Sequence, residues 1–201
     1  MITDSLLIII RMIHEILKNR WSPYSFSSEP VDEVKLNSLF EAAGLAPSSN
    51  NEQPWLFIHV TREKADLFDT FLGFLVESNR VWAKNTYALA ISFARLNSSY
   101  NGKPNNYALH DTGMAVSNLL AQATSLGIFV HQMAGYSAEK VKKFFKLRDD
   151  VVPVAIMAIG NRGDGKNISH ELNARDEKRR GRKPLIEYSF RNALPEKYVK
   201  S

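Results

Sequence analysis

Ala46-Pro47-Ser48-Ser49-Asn50-Asn51-Glu52-Gln53-Pro54-Trp55 is the stretch on which the reading of this chain turns. It is dense in neutral polar side chains and bracketed by Pro47 and Pro54, yet apolar patterns lie on both sides. Upstream, Pro30 marks a first helical turn, and Asp32 to Ala43 continues it with Val34, Leu36, Leu39 and Phe40 at helical spacing before Gly44 ends it. Downstream, Trp55 to Val60 has the apolar, β-branched character of a strand. A plain connecting loop accounts for the position of the block. Its composition allows more, because Ser, Asn and Gln offer donors and acceptors that read the edge of a heterocycle without adding charge.

Working outward, spacing predicts helices over Ser5–Asn19, Glu63–Leu75, Asn106–Leu126 (closed by Gly127) and Ser137–Phe145, the last with Ser137 as N-cap. Short apolar runs predict strands over Tyr87–Ala94, Ile128–Met133 and Val151–Ile159, with Gly160 as the stop. Asn161 to Arg182 is polar and without period, so it reads as a long loop or arm, and Leu185–Phe190 reads as a last strand. Four or five strands separated by helices and followed by an arm over about 161–201 predict one α+β domain spanning 1–201.

Composition narrows the chemistry. The 201 residues suffice for one sizeable core. There is no cysteine, which excludes disulfides, thiolate metal sites and cysteine nucleophiles, so redox chemistry would need a bound cofactor. No apolar run is long enough to span a bilayer. Ser5 to Ile10 lacks the basic start and small-residue cleavage site of a leader, so a helix of a cytoplasmic protein is expected. The net charge is +5, and residues 162–201 carry 11 Lys/Arg against 6 Asp/Glu, so the whole excess lies there, densest at Lys178-Arg179-Arg180-Gly181-Arg182-Lys183. A solvated tail, a phosphate clamp and a nucleic-acid patch all fit that run.

Several weak signals occur in a fixed order. Arg20-Trp21-Ser22-Pro23-Tyr24 follows the first helix, and an Arg fork with a Ser hydroxyl suits phosphate, although capping explains the pair equally well. Asn79-Arg80-Val81-Trp82-Ala83-Lys84-Asn85, Asp111-Thr112-Gly113-Met114-Ala115, His131-Gln132-Met133-Ala134-Gly135-Tyr136 and Arg180-Gly181-Arg182-Lys183-Pro184-Leu185 come after the opening block. With it, this ordered set resembles the FMN-dependent nitroreductase family across nearly the whole chain.

The resemblance implies an α/β/α sandwich with a central, mostly antiparallel sheet, and a homodimer exchanging C-terminal arms, with two FMN molecules in the interface. Arg20, Trp21, Ser22 and Tyr24 would meet the FMN, with Arg20 and Ser22 at its phosphate and ribityl end. Arg180 and Arg182 would close on the same phosphate. Pro47, Ser48, Ser49 and Asn51 would come from the partner subunit, Asn79 would reach the pyrimidine edge, and Gln132, Met133 and Gly135 would pass along the ring near N5. Electrons would come from NADH or NADPH and leave, in a ping-pong cycle, to a nitroaromatic, a quinone or a similar small acceptor. No residue takes a covalent or obligate acid/base role.

Two departures stand out. The family usually places Arg or Lys at position 24, where a cation stabilises the charge of reduced flavin. Tyr24 brings no full charge, so a lowered flavin potential is expected, with Lys84 as the candidate to compensate. Ala134 falls where some relatives carry an acid. Among other residues, His131 reads as a core or boundary histidine, Trp21, Trp55 and Trp82 as anchors, Asp111 as a helix-start residue, and Gly160 to Lys166 as a flexible connection without a Walker spacing. No HExxH-like spacing points to a metal. Two further classes remain open: a low-turnover flavin-binding protein, and a nucleic-acid-binding domain using the basic arm. The run Lys178 to Lys183 lacks the interleaved aromatics that favour the latter.

Overall fold

The structure, a computed structural model, describes residues 12–199. Its centre is a four-stranded antiparallel sheet of β1 (Trp55–Thr61), β2 (Ala88–Arg95), β3 (Phe129–Met133) and β4 (Val151–Gly160), in the order β1-β2-β4-β3. The two central strands are the continuous apolar runs, because helices cover both of their faces. Leu89, Ile91 and Phe93 of β2 join one core with Ile156 and Ala158 of β4. Ala88 and Ala90 face the other core with Met157 and Ile159. The register slips between Ser92 and Phe93, where Pro153 enters β4 without an N–H to donate.

Seven α-helices flank the sheet among the described residues. On one face lie α3 (Ala65–Phe74), α4 (Glu77–Ala83) and α6 (Ala138–Phe145), which bury Phe68, Phe71, Phe74, Trp82 and Val141. On the other lie α2 (Glu33–Gly44) and the long α5 (Ala108–Ser125). α5 buries Ala108, Thr112, Ala115, Val116, Leu119 and Ala123, one helical stripe whose small residues let it lie close to Ala88 and Ala90. This is the expected α/β/α sandwich on an antiparallel sheet. Ser137 caps α6 as expected, accepting from the Lys140 N–H. The first predicted helix, Ser5–Asn19, lies partly outside the described residues; its described end is α1 (Glu15–Asn19). No described helix is long and apolar enough to cross a membrane.

Three expectations need correction. Leu185–Phe190 is not a strand: Leu185–Glu187 is one 3-10 turn following Pro184. The polar segment 161–182 contains α7 (His170–Glu177), with Ser169 as N-cap accepting from the Leu172 N–H. Gly160 to Lys166 is no flexible connection. It lies antiparallel to residues 25–27, with Ser27 donating to the Asn161 carbonyl at 2.9 Å and Gly163 donating to the Ser25 carbonyl at 3.0 Å. The approach is so tight that a Cβ at Gly163 would meet the Phe26 carbonyl oxygen at 2.6 Å.

Candidate functional site

Two distant segments of the chain meet in one cavity of about 230 Å³. Arg20, Trp21, Ser22 and Tyr24 follow α1 and form one wall. His131 of β3 forms the floor, and Arg175 of α7 with Arg180 and Arg182 of the arm close the rest. The expected gathering of Arg20, Trp21, Ser22, Tyr24, Arg180 and Arg182 is therefore present. His131 and Arg175 are additions. Lys84 does not line this cavity: it is exposed at the C-cap of α4.

The electrostatics are those of an anion site. Arg20 Nη1 donates to Ser22 Oγ at 3.0 Å. Burial, and then the charges of Arg182 and Arg179, push the Arg20 guanidinium below its ordinary pKa. The charged form is thus disfavoured by its neighbours, a cost that a bound dianion would relieve. Arg20, Arg180 and Arg182 with the Ser22 hydroxyl fit a phosphate. Arg179, though inside the basic run, is used otherwise. Its guanidinium lies 4.8 Å from the Trp21 ring and donates to the Lys18 and Asn19 carbonyls at the end of α1.

The wall is held from behind. Asp176, 5% exposed, accepts from the Tyr24 N–H on both oxygens at 2.8 and 2.9 Å and from the Ser25 N–H at 2.8 Å. Tyr24 packs edge-on against Trp82 (centroids 5.3 Å apart) and beside His131 (4.9 Å). His131 Nδ1 donates to the Pro23 carbonyl at 2.8 Å, because a carbonyl only accepts, and this leaves Nε2 as an acceptor. Burial pushes its pKa below the usual histidine value. His131 is thus a boundary histidine, satisfied as read from the sequence, but one that fronts the cavity.

A second group lies at the start of α4. Asn79 Nδ2 donates to the Gly135 carbonyl at 3.1 Å, and the Val76 N–H donates to the same oxygen at 3.0 Å. A Cβ at Gly135 would meet Asn79 Nδ2 at 2.7 Å and Val76 Cγ2 at 2.8 Å. Of the neighbouring predicted residues, Gln132 is exposed and Met133 is buried in the core.

The opening block lines a different cavity, through Ser49, Asn50 and Glu52, and none of its residues touches the arginine cavity within one chain. Its backbone is unusual: Asn50, Asn51 and Gln53 all have positive φ (51°, 55° and 45°). Such conformations persist only where the surroundings over-determine them. Asp111, 2% exposed, accepts from the Ser49 N–H at 2.9 Å, and Ser48 Oγ accepts from the Gln53 N–H at 3.0 Å. Asp111 stands in the first turn of α5, as the helix-start reading has it, and from there also ties this loop to the helix. Glu52, with an 8% exposed side chain, accepts from Ser98 Oγ and from the N–H and Oγ of Ser99.

Those donors, Ser98 Oγ foremost, hold the Glu52 carboxyl down to about 2 from its ordinary 4.5. A depressed folded-state pKa stabilises the fold above the ordinary value, and that contribution is lost as pH falls toward the folded one. Glu52→Gln should therefore flatten the acid limb of stability between pH about 4.5 and about 2. Urea midpoints measured across that range check it; parallel limbs for the two proteins would refute it.

Fold and cavity together define an α/β/α protein that gathers arginines from two distant segments of the chain, around residues 20 and 175–182, on one cavity. The Nitroreductase family profile matches residues 17–161, and the chain belongs to that family, a family of oxidoreductases. A Bacillus subtilis (strain 168) protein named "Putative NAD(P)H nitroreductase YfhC" is 27% identical over 181 residues, covering 82% of this chain and 92% of that one. A crystal structure of an oxidoreductase containing FMN superposes with a TM-score of 0.86 at 29% identity, covering 91% of this chain and 93% of that one. A Desulfovibrio desulfuricans protein solved in complex with FMN shares the fold, with a TM-score of 0.69 at 18% identity and coverage of 90% and 96%.

Proposed function

We propose that this protein is an FMN-dependent NAD(P)H oxidoreductase that works as a homodimer and reduces a nitroaromatic, a quinone or a similar small acceptor. The observation that carries the proposal is the convergence of Arg20, Ser22, Arg180 and Arg182, from positions some 160 residues apart, on one cavity. FMN held there would supply the hydride chemistry between NADH or NADPH and the acceptor.

The chain's own residues bind, orient and shield. Arg20, Ser22, Arg180 and Arg182 hold the phosphate. Asn79, Gln132, Met133 and Gly135 would run along the ring, Met133 through its backbone, and the Asn79–Gly135 bond fixes the chain there. His131 donates from Nδ1 to the Pro23 carbonyl, and burial, which lowers its pKa, works against a second proton on Nε2.

Pro47, Ser48, Ser49 and Asn51 serve the partner's cavity, which is why their loop is built with care yet stands apart from the arginines of its own chain. Apolar side chains left in water by the single chain support the dimer. Val34 and Leu45 beside α2, and Tyr107 and Leu109 at the start of α5, are all exposed. Every residue from Glu177 to Ser189 is exposed, Leu185, Ile186 and Tyr188 among them, as an arm exchanged with a partner would be when taken alone.

The test is an absorbance spectrum of the purified protein, repeated after anaerobic addition of NADH and of NADPH, together with sedimentation. A yellow dimer that bleaches with either nicotinamide is the expected result. A protein that stays colourless after incubation with FMN would sink the proposal, and a yellow one that neither donor bleaches would reduce it to flavin binding.

A further inference from the structure

We propose that Arg175, held in place by Asp176, supplies the positive charge at the Tyr24 end of the cavity and so stabilises the reduced, anionic form of a flavin bound there. This rests on the FMN reading above. The inference starts from the division of labour among the cavity's cations. Arg20 is engaged with Ser22, and Arg180 and Arg182 come from the exposed arm. Arg175 alone of the four stands on a helix, and the residue next to it is bolted to the cavity wall by hydrogen bonds to the Tyr24 and Ser25 N–H groups. Its guanidinium lies against the phenol of Tyr24, which raises an already high arginine pKa, as does the carboxylate of Glu171.

The charges around Arg175 do not cancel it. Asp176 spends its oxygens on the two backbone N–H groups. Glu171 accepts from Arg175 Nη2 at 2.6 Å, but the two side chains are 75% and 47% exposed, so water screens that pair. Burial works against a charge on His131. What remains is a cation fixed in place beside a phenol that can donate a hydrogen bond but no charge.

The chemistry that gives such a cation a use is simple. An oxidised isoalloxazine ring is neutral; uptake of two electrons and one proton leaves it with one net negative charge. A positive charge beside the ring favours the second state over the first, the more so where the bound flavin displaces the water that screens it. A cation that served the phosphate instead would favour both states equally, since the phosphate charge does not change on reduction.

The experiment compares wild type, Arg175→Gln and Arg175→Lys by measuring dissociation constants for oxidised and for dithionite-reduced FMN under anaerobic conditions, with the midpoint potential of the bound flavin as a second readout. Arg175→Gln is expected to raise the ratio of reduced to oxidised dissociation constants about tenfold, equivalent to ~30 mV lower in a two-electron couple. Arg175→Lys is expected to restore most of it. An unchanged ratio in Arg175→Gln, or equal weakening of both states, overturns the assignment while leaving FMN binding intact. A wild type that takes up neither form overturns the cofactor reading itself.

Discussion

Asp176→Ala should lower the free energy of unfolding by about 2–5 kcal/mol, a large share of what a single domain possesses. The carboxylate is buried, and it satisfies the Tyr24 and Ser25 backbone N–H groups in the packed wall. Alanine strands both donors, at ~1–3 kcal/mol each, and unfastens α7 from residues 24–25. Asp176→Asn keeps an acceptor oxygen and should lie between the two. Urea denaturation with unchanged m-values measures the loss. A change below about 1 kcal/mol in the alanine variant would mean that the latch contributes little and that α7 is held by its apolar contacts, Ile168 and Leu172, against the core.

Arg20→Ala should weaken FMN binding by ~2–5 kcal/mol, roughly thirty- to several-thousand-fold in dissociation constant, because it removes the partly buried guanidinium proposed to hold the phosphate. The same substitution should not destabilise the ligand-free protein comparably, since it also removes a charge crowded by Arg182 and Arg179. Arg179→Ala should behave in the opposite way. Its cation stacks on Trp21 and binds the last carbonyls of α1, so thermal stability should fall while FMN affinity holds. Flavin fluorescence titration and thermal melts without ligand give the two readouts. If both variants lose affinity and stability in parallel, the separation of roles within the basic run is wrong.

Much of this architecture is legible in the chain because it is periodic. β2 and β4 are unbroken apolar runs since both faces are covered, and the α5 stripe repeats at helical spacing. The arginines and Ser22 are legible through their order along the chain. What is not legible depends on isolated residues and long-range contacts. α7 has only Ser169 as N-cap and the Glu171–Arg175 pair to announce it, a signal that a polar segment hides easily. Asp111 sits on a helix and looks like a helix residue; that it ties down the Ser49 N–H, 62 positions away, follows only from tertiary packing. Arg175 carries no local mark of its place either, because the cavity it enters is made by residues 20–24. The run 185–190 has strand composition but begins at Pro184 and turns at once into a 3-10 helix.

The latch between Asp176 and residues 24–25 spans about 150 positions of sequence. During synthesis, the first wall of the cavity leaves the ribosome early and waits for its bolt until nearly the whole chain has followed. The sheet has by then received all four strands, because β4 ends at Gly160. The arginine cavity therefore closes only after all four strands are available, and a nascent chain halted before α7 holds every strand of the sheet without Arg175, Arg180 or Arg182.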